Sequence, residues 1–570
     1  MCNTCYGIHA ARTHGQLEAD SGASLKREPF WNFTRRVIEA SESAGFKIQG
    51  VTTDMGPANT AVWNHTGIES TCSKLTAGVL HPCAADRTLY FIADPPHLLK
   101  NLWNCLLTHE VTLGSQTVQK YDLPSDAVKG YVYVSKLLDA QNSHELCMAY
   151  KLKSCHVTPS QYEKMRVCFA AQFFSRSTAA AIQTCVNLDI LPTEALTTAW
   201  FLNFVNDWFD AMNARHKEAA QFYGKETAGT QVLKEMLVVI KDLAFSGKKT
   251  WKPIQAGIQL STAVALQLSQ EVMSTHKLQF FLTGRLSQDP VENLFSQARG
   301  QGIMHPSCSV FRQALRLITV AQYLQVIKGS AYEEDGCTYL IDYLKQRADG
   351  VEADEESLLP ALLTASDVNN EVEESSLPLL LTASDADDAD GVEVATSTTV
   401  DSPLQPVENV CHSRPLEKLE GNALYDIMGW ALSRIFRKVD CDVCRSAFTA
   451  DSISNDCFGQ YTVARNYGGL MHTSNELLTA AKLAEQTFVS NKPTMHQKAD
   501  FDLCITTQVL DVINSCHFNF PTYHNILQNV FKKYIRLRIN QHAKAITSNN
   551  TLMNKGQYGS KTACRITLIP

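Results

Sequence analysis

The sequence has 570 residues, of which 45% are hydrophobic and 19% are charged, and its 51 Lys and Arg against 58 Asp and Glu give a formal net charge of −7. Domains usually run about 100–200 residues, so this chain predicts a globular protein with several cores. A mildly acidic total argues against coating nucleic acid through bulk charge, so any DNA contact would depend on local patches. No apolar run reaches the ~18 residues that a membrane span requires, and the first 21 residues lack the basic-then-apolar order of a signal peptide. With its 18 scattered cysteines read as reduced thiols, we expect a soluble intracellular protein without a membrane partner.

The first part of the chain alternates helix and strand patterns. Residues 30–44 have amphipathic helical spacing, and strand-like runs follow at residues 46–53 and 88–93. Pro95 and Pro96 then open a second helix with apolar residues at helical spacing. This alternation predicts part of an α/β sheet.

The middle of the chain, residues 131–279, has mostly helical patterns, with long periodic runs at residues 162–182, 193–221 and 258–275. A helical block is therefore expected to interrupt the α/β unit. The last part, residues 421–570, predicts a mixed, helix-rich region.

An acidic segment with few aromatic residues separates these regions and covers about residues 333–407. Such a composition predicts a disordered insertion. It contains a tandem duplication, because residues 356–367 recur with a period of 18 as residues 374–385. Two copies are too few for a repeat solenoid; the duplication is either slippage within a tolerant linker or a short amphipathic partner motif.

Acidic residues stand at three places where helices begin or strands end. Asp54 follows the first strand-like run and Asp94 follows the second, so both are expected at the carboxyl edge of a sheet, where α/β proteins gather their sites. Each is also explained as a turn or helix-cap residue, and Asp94, which precedes Pro95, fits a cap best.

Asp289 and Glu292 lie in the first turn of a further predicted helix, with Pro290 between them. A capping box with Asp289 as the cap explains this pattern structurally. Alternatively, the two carboxylates share one helix face and bind a divalent cation. The local sequence leaves both explanations open.

Four short blocks together resemble the P-element transposases and the vertebrate THAP-domain-containing transposase-derived proteins. In the family's order they are residues 51–59 (VTTDMGPAN), 91–101 (FIADPPHLLKN), 164–172 (KMRVCFAAQ) and 284–295 (GRLSQDPVENLF). The resemblance extends over about residues 28–327 and resumes more weakly over about residues 421–545.

This resemblance implies a fold class of α/β plus α: an RNase H-like core split by a helical insertion of the GTP-binding type, followed by a helix-rich C-terminal region. It also implies two-metal phosphoryl transfer on DNA, in which acidic residues hold two Mg²⁺ about 4 Å apart. Asp54 matches the family's second catalytic aspartate, Glu292 its terminal catalytic glutamate, and Asp289 the neighbouring acidic residue. Asp94 is expected to be structural.

The resemblance also divides the chain. The expected regions are an atypical N-terminal segment (1–27), the first part of the RNase H-like core (28–130), the GTP-binding type of insertion (131–280), the catalytic glutamate helix (281–332), the acidic linker (333–420) and the C-terminal transposase region (421–570).

The family's first catalytic aspartate and its zinc-coordinating THAP module have no match before Asp54. We therefore expect an incomplete core and a transposase that is truncated and catalytically impaired, because a two-metal site needs both ions placed together. The alternative is a domesticated, non-catalytic scaffold that binds nucleotide, DNA or protein. The resemblance further implies transposon-end DNA as partner, homo-oligomerisation and a nuclear location.

Nucleotide contacts carry over from the family at six positions: Lys151, Arg166, Val167, Ser175, Asp210 and Asn213. A carboxylate such as that of Asp210 can accept hydrogen bonds from the N1–H and exocyclic amine of guanine, and cationic groups suit phosphates. Without the resemblance, Asp210 and Asn213 are explained as an exposed pair on one helix face. Retained GTP binding and its loss both remain open.

The C-terminal region contains a Cys-x-x-Cys pair, Cys441 and Cys444, with Cys516 and His524 further along. This set could form a tetrahedral Zn²⁺ site; buried free cysteines are the alternative. A basic stretch with Lys532, Lys533, Arg536, Arg538 and Lys544 could contact DNA phosphates or form a solvated helix face.

Overall fold

The structure is a computed structural model that describes residues 27–142, 144–246, 250–300, 307–322, 417–451, 458–466, 468–493, 501–516 and 518–557. The acidic segment at residues 333–407, with both copies of its duplication, lies outside the described residues, so the predictions about it stay predictions. No helix in the described ranges combines the length and the apolar character needed to cross a membrane.

The chain divides into two compact units. The first comprises Met1–Ser135, Leu152–Ala179 and Thr193–Leu379, and the second comprises Lys136–Lys151, Ala180–Pro192 and Leu380–Pro570. Two short segments from the middle of the sequence therefore belong to the same unit as the C-terminal region.

The segment from Arg27 to Gln322 mixes helices with short strands. In chain order its elements are α1 (Arg27–Ser43), β1 (Gly50–Thr53), α2 (Pro57–Thr66), β2 (Glu69–Ser70), β3 (Leu75–Thr76), β4 (Gly78–His81), β5 (Ala84–Ala93), α3 (Pro95–Thr108), β6 (Val111–Thr112), α4 (Ser115–Lys120), β7 (Ala127–Val128), α5 (Gly130–Gln141), α6 (Val167–Phe173), α7 (Arg176–Asn187), α8 (Ala195–Met212), β8 (Gln221–Phe222), α9 (Ala228–Asp242), β9 (Ala244–Phe245), α10 (Pro253–His276), β10 (Phe280–Phe281), α11 (Asp289–Gly300) and α12 (Cys308–Gln322). Short 3₁₀ turns lie at Ser154–His156, Glu163–Met165, Lys217–Ala219 and Thr283–Leu286.

The sheet that carries the predicted acidic residues has the strand order β1-β5-β4. β1 pairs in parallel with β5, from Gly50 opposite Tyr90 to Thr53 opposite Ala93, and β4 is antiparallel to β5. The last five residues of β5 are buried, whereas β1 is half-buried throughout. Both predicted strands are therefore confirmed, and β1 forms one edge of the sheet within the described residues.

The long buried helix α10 packs on the end of β5. Its Ser261 hydroxyl donates to the carbonyl oxygen of Ala93 at 2.7 Å and accepts from the backbone N–H of Ala93 at 2.9 Å. A Cβ on Gly257 would lie 2.5 Å from a methyl group of Leu98 on α3, so a larger residue here would require this side chain to shift. The helical block predicted to follow the sheet in sequence therefore helps to fix the strand end in space.

The periodic run at residues 162–182 is helical but not continuous. α6 ends at Phe173, and α7 begins at Arg176. The hydroxyl of Ser175 accepts from the backbone N–H of Thr178 at 3.2 Å, which caps the start of the second helix. The predicted run at residues 193–221 likewise ends early, at Met212.

The described part of the C-terminal region is helical. Its helices are α13 (Lys418–Phe436), α14 (Asp442–Phe448), α15 (Gln460–Arg465), α16 (Asn475–Asn491), α17 (Phe501–Ser515) and α18 (Ile526–Gln557), with a 3₁₀ turn at Tyr523–Asn525 before α18.

Arg538 on α18 is not part of a DNA-facing or solvated basic face. Its side chain is buried and bonds to both carboxylate oxygens of Glu485, with N–O distances of 2.6 and 2.9 Å. The Tyr534 hydroxyl donates to the same carboxylate. The periodicity of α18 turns this arginine inward while Lys532, Lys533 and Arg536 stay exposed.

Candidate active site

Two aspartates lie side by side where β1 and β5 end. The backbone N–H of Asp94 donates to the carbonyl oxygen of Thr53 at 2.9 Å, which continues the parallel ladder by one residue. Asp54 directly follows Thr53, so the two acidic residues leave neighbouring strand ends on the same edge of the sheet. Parallel pairing is what brings together residues that are 40 positions apart in sequence.

Asp94 is buried and fully engaged as a structural group. One carboxylate oxygen accepts from the backbone N–H of His97 at 3.0 Å and lies 2.6 Å from its Nδ1, and the other accepts from the backbone N–H of Gln288 at 2.7 Å. The cap role predicted for Asp94 is confirmed at the start of α3. The bond to Gln288 adds a second role, since it fixes the residue directly before α11 to the sheet.

Asp54 is half-buried and organises its own turn. Its Oδ1 atom accepts from the backbone N–H of Gly56 at 2.8 Å and from the Asn59 side-chain amide at 2.7 Å. Its Oδ2 atom has no hydrogen-bond partner among the described residues. One oxygen thus fixes the orientation of the carboxylate and the other stays available, as a metal ligand would.

α11 carries the other two predicted ligands on its first turn. Leu294 and Ala298 anchor this helix against Phe311, Leu315 and neighbouring apolar residues of α12. The Asp289 carboxylate pairs with the Arg215 guanidinium at 2.5 Å. The predicted cap position of Asp289 is wrong by one residue: Asp289 is the first residue of α11, and the carbonyl oxygen of Gln288 accepts the first helical hydrogen bond, from the backbone N–H of Glu292 at 3.0 Å. Glu292, one turn on, is half-buried and has no hydrogen bond or ion pair within the described residues.

Lys100 is the site residue that sequence reasoning missed. It lies on α3, is half-buried, and has no hydrogen-bond partner among the described residues. Burial lowers the pKa of Lys100 below its usual range, while the carboxylates of Asp94, Glu292 and Asp54 act in the opposite direction. All three acidic groups therefore act electrostatically on the same ammonium group. Only its membership of the block at residues 91–101 could have indicated it.

The carboxylates of Asp54, Asp289 and Glu292 share this edge but do not converge on one point. In the described part of the chain, the only cluster of three or more His, Cys, Asp or Glu whose ligand atoms all lie within 4.8 Å of one another consists of Cys441, Cys444 and His524. The metal role of the three acidic residues therefore stays a prediction.

The loop after α8 is tied to the segment that leads into α11. The Thr283 hydroxyl donates to the carbonyl oxygen of Ala211 at 2.7 Å and accepts from the backbone N–H of Ala214 at 3.2 Å. The backbone N–H of Gly284 donates to the carbonyl oxygen of Ala214 at 3.0 Å. Together with the pair Arg215–Asp289, these bonds connect the end of α8 to the acidic edge. This name denotes the ends of β1 and β5, with Asp54 and Asp94, and the first turn of α11, with Asp289 and Glu292.

The predicted nucleotide residues are distributed over several elements. Asp210 is exposed on the last turn of α8 and accepts from the Asn206 amide at 3.0 Å. Asn213 follows that helix, and its Oδ1 atom lies 3.4 Å from Nε of Arg215. Arg166 is exposed at the start of α6, with its guanidinium 4.8 Å from the ring centre of Phe169.

The remaining nucleotide residues have different settings. Val167 is half-buried at the first position of α6, and Ser175 is buried as the cap of α7. Lys151 belongs to the second unit. None of the six lines the surface cleft of about 270 Å³ formed by α4 and α9, whose lining includes Lys120, Tyr121 and Glu235. The nucleotide contacts stay predictions.

Comparison with known proteins adds two family matches. Residues 97–225 match the model of the TNP-like, GTP-binding insertion domain, and residues 415–544 match the model of the C-terminal domain of DNA transposase THAP9. The chain is also similar to the Drosophila melanogaster transposable element P transposase, with 26% identity over 308 residues that cover 51% of this chain and 39% of the relative. It thus spans about two fifths of the length of that relative.

A solved structure, the Drosophila P element transposase strand transfer complex, is also similar, at 25% sequence identity and a TM-score of 0.45 over 52% of this chain and 65% of the other. The two family models match in order along the chain, with the GTP-binding type of insertion domain first and the C-terminal domain second. These matches support the resemblance to the P-element and THAP9-like transposases that the four sequence blocks predicted.

Proposed function

We propose that this chain is a P-element-like DNA transposase product with an RNase H-like core, which binds a divalent metal at Asp54 and Glu292, acts on transposon-end DNA and responds to GTP. The observation that carries the proposal is the acidic edge formed by the ends of β1 and β5 and the first turn of α11. DNA substrate, homo-oligomerisation and nuclear location belong to the proposal through the family.

The donor set fits a hard divalent cation. Asp54 offers the Oδ2 oxygen and Glu292 a carboxylate without a partner in the described residues, and Mg²⁺ prefers such oxygen ligands. When bound, the metal would polarise a phosphoryl oxygen and activate the attacking hydroxyl. Asp94 does not serve as a ligand in this proposal; it positions Gln288 and hence the helix that carries Glu292.

Catalysis by this chain is proposed to be impaired. The third acidic residue, Asp289, is paired with Arg215, and the Lys100 ammonium interacts electrostatically with Asp54 and Glu292. A cationic side chain at this position competes electrostatically with a divalent ion. The same features would suit a non-catalytic scaffold, and the experiment below separates the two.

The GTP response is proposed to reach the acidic edge through the end of α8. Guanine bound at Asp210 and Asn213 would contact the loop whose Arg215 pairs with Asp289. A shift of this arginine toward the nucleotide would release the Asp289 carboxylate. The backbone bonds between Ala214 and the Thr283–Leu286 turn would carry the displacement.

The test is cleavage of labelled transposon-end DNA by the purified chain with Mg²⁺ or Mn²⁺, with and without GTP. We expect slow, metal-dependent nicking that GTP accelerates and that Asp54→Asn and Glu292→Gln abolish, whereas Asp86→Asn, at an exposed position on β5, retains it. Nicking that survives both site substitutions would contradict the proposed site. Folded protein that shows no nicking under any condition would support the scaffold alternative.

A separate binding measurement tests the nucleotide part. Asp210→Asn should weaken binding of a fluorescent GTP analogue at least tenfold, because the amide cannot accept both guanine hydrogen bonds. The matched control is Asp189→Asn, at an exposed position with φ of 58° that asparagine tolerates. Equal affinity in both variants would contradict the assignment of Asp210.

A further inference from the structure

A second group of ligand atoms lies in the C-terminal region, apart from the acidic edge in sequence and in chemistry. The Sγ atoms of Cys441 and Cys444 and an imidazole nitrogen of His524 all lie within 4.8 Å of one another. Cys441 directly precedes α14 and Cys444 is on its first turn. The side chains of a helix cap and of the third helical residue lie near each other, which brings the two thiols together.

The position of His524 is set by an unusual backbone turn. His524 and Asn525 both have positive φ, 64° and 49°, immediately before α18. Consecutive left-handed residues other than glycine are uncommon and persist where surrounding contacts hold them. The turn directs the histidine toward the two thiols.

Aromatic stacking holds the same turn against α14. The ring of Phe520 stacks on Phe448, the last residue of α14, with centroids 4.8 Å apart and an interplanar angle of 8°. The Sγ atom of the fully buried Cys444 lies 3.9 Å from the carbonyl oxygen of Tyr523. These contacts belong to the packing of the domain and place the three ligand atoms together independently of any metal.

The donor set selects the kind of metal. Two thiolates and one imidazole are soft and borderline ligands, which favour Zn²⁺ over Mg²⁺ or Ca²⁺. In a tetrahedral site with Zn–S bonds of about 2.3 Å, two sulfur ligands lie about 3.8 Å apart. The observed grouping, with all three ligand atoms within 4.8 Å of one another, is compatible with such a site.

We propose that Cys441, Cys444 and His524 bind one Zn²⁺, with a water molecule as the fourth ligand. The two thiols release their protons to solvent as they bind. The metal would fasten the Tyr523–Asn525 turn to the start of α14, and so fix where the long helix α18 begins.

This ligand group contains three of the four residues that the sequence predicted for a Zn²⁺ site. Cys516 is not in the ligand group; its Sγ atom lies 3.9 Å from the hydroxyl of Ser515 at the end of α17. The pair in Cys-x-x-Cys spacing and His524 are retained. Sequence spacing alone could not decide between the candidates, because the choice depends on the fold of residues 518–525.

The test uses the full chain, purified under reducing conditions, loaded with Zn²⁺ alone and passed over a desalting column before metal analysis. We expect about one zinc per chain in the unchanged protein and in the control Cys504→Ser, whose cysteine is exposed on α17. Cys444→Ser and His524→Ala should each lower retained zinc at least tenfold. Equal zinc content in all four proteins would overturn the proposal.

Because Cys444 is buried, its variant could fail to fold, and a second readout keeps the test decisive. His524 is exposed, so His524→Ala should keep its circular dichroism spectrum. In the unchanged chain, Co²⁺ should give the intense thiolate-to-cobalt absorption and tetrahedral visible bands, both lost in His524→Ala. A Cys441–Cys444 disulfide that persists under the reducing conditions, found by mass spectrometry of alkylated protein, would also overturn the proposal.

Discussion

The two units treat their charged and metal-binding groups differently. At the acidic edge, Asp54 and Glu292 keep carboxylate oxygens without partners in the described residues, and both act electrostatically on the half-buried Lys100. In the second unit, buried charges are paired, as in Arg538 with Glu485, and the candidate ligands Cys441, Cys444 and His524 already lie together. The carboxylates at the acidic edge would need a bound cation to neutralise them. The ligand atoms in the second unit are already brought together by side-chain packing.

This difference shows that resemblance to a family and the positions of side chains in the structure identify different candidate sites. The family motifs identify the acidic edge, although its carboxylates do not converge on one point. The structure identifies the cysteine–histidine group, for which spacing alone left the alternatives open. The experiments below test whether each region behaves as its arrangement indicates.

The largest expected effect concerns paired charge in the second unit. Arg538→Ala leaves the buried Glu485 carboxylate without its partner, and loss of one member of a buried pair costs about 3–5 kcal/mol. Arg536→Ala, at an exposed position two residues earlier, should change stability by less than about 0.5 kcal/mol. Chemical denaturation, monitored by hydrogen exchange in α16 and α18, measures the free energy of unfolding of both variants. Similar free energies for the two variants would contradict the contrast between the units.

The next effect concerns how the acidic edge is held. Asp94→Ala removes the cap of α3 and the acceptor for the backbone N–H of Gln288. We expect a loss of about 3 kcal/mol, because a helix cap contributes about 1 kcal/mol and a buried donor without a partner costs a further 1–3 kcal/mol. The measurement is hydrogen exchange over α3 and α11, with Asp86→Ala as the exposed control. Unchanged exchange in α11 would show that Asp94 does not position it.

A third prediction addresses the ammonium group at the acidic edge. Lys100→Met removes a positive charge from among Asp54, Asp94 and Glu292, so the affinity for Mn²⁺ should rise about tenfold, or about 1.4 kcal/mol. Isothermal titration of the variant against Lys47→Met, at an exposed position, measures the change. A lower affinity in Lys100→Met would mean that the lysine supports the metal site instead of competing with it.

The smallest effect concerns a buried neutral group in the first unit. Burial lowers the pKa of His156, whose Nε2 lies 2.8 Å from the side-chain oxygen of Gln172. A base with a lowered folded-state pKa is protonated more readily in the unfolded chain, so stability falls as the pH drops below about 6.5 toward the folded-state pKa. The loss cannot exceed about 1.4 kcal/mol per pH unit.

The comparison of the unchanged chain with His156→Gln isolates this contribution. Amide exchange in α6 should accelerate between pH 7.5 and pH 5.5 more in the unchanged protein than in the variant, after correction for intrinsic rates. Parallel behaviour of the two proteins would show that His156 does not carry the pH dependence.

Much of the local structure follows from sequence patterns. Periodicity predicted α1, α3 and α10, alternation predicted β1 and β5, and Asp-Pro-Pro predicted the cap at Asp94. These features depend on neighbours a few residues apart, which is the range over which patterns carry information.

The missed features depend on long-range contacts. Arg215 pairs with Asp289 across 74 residues, and Lys100 interacts electrostatically with Glu292, 192 residues further along the chain. Arg538 reads as part of a basic surface stretch, but the packing of α18 against α16 buries it. No local pattern distinguishes such residues from exposed ones.

The most direct test of the central claim is Mn²⁺ binding to the purified full chain, followed by electron paramagnetic resonance of free Mn²⁺. We expect a site that is lost in both Asp54→Asn and Glu292→Gln and retained in the exposed control Asp86→Asn. Equal Mn²⁺ binding by the unchanged chain and both site variants would contradict a divalent-metal site at the carboxyl ends of β1 and β5.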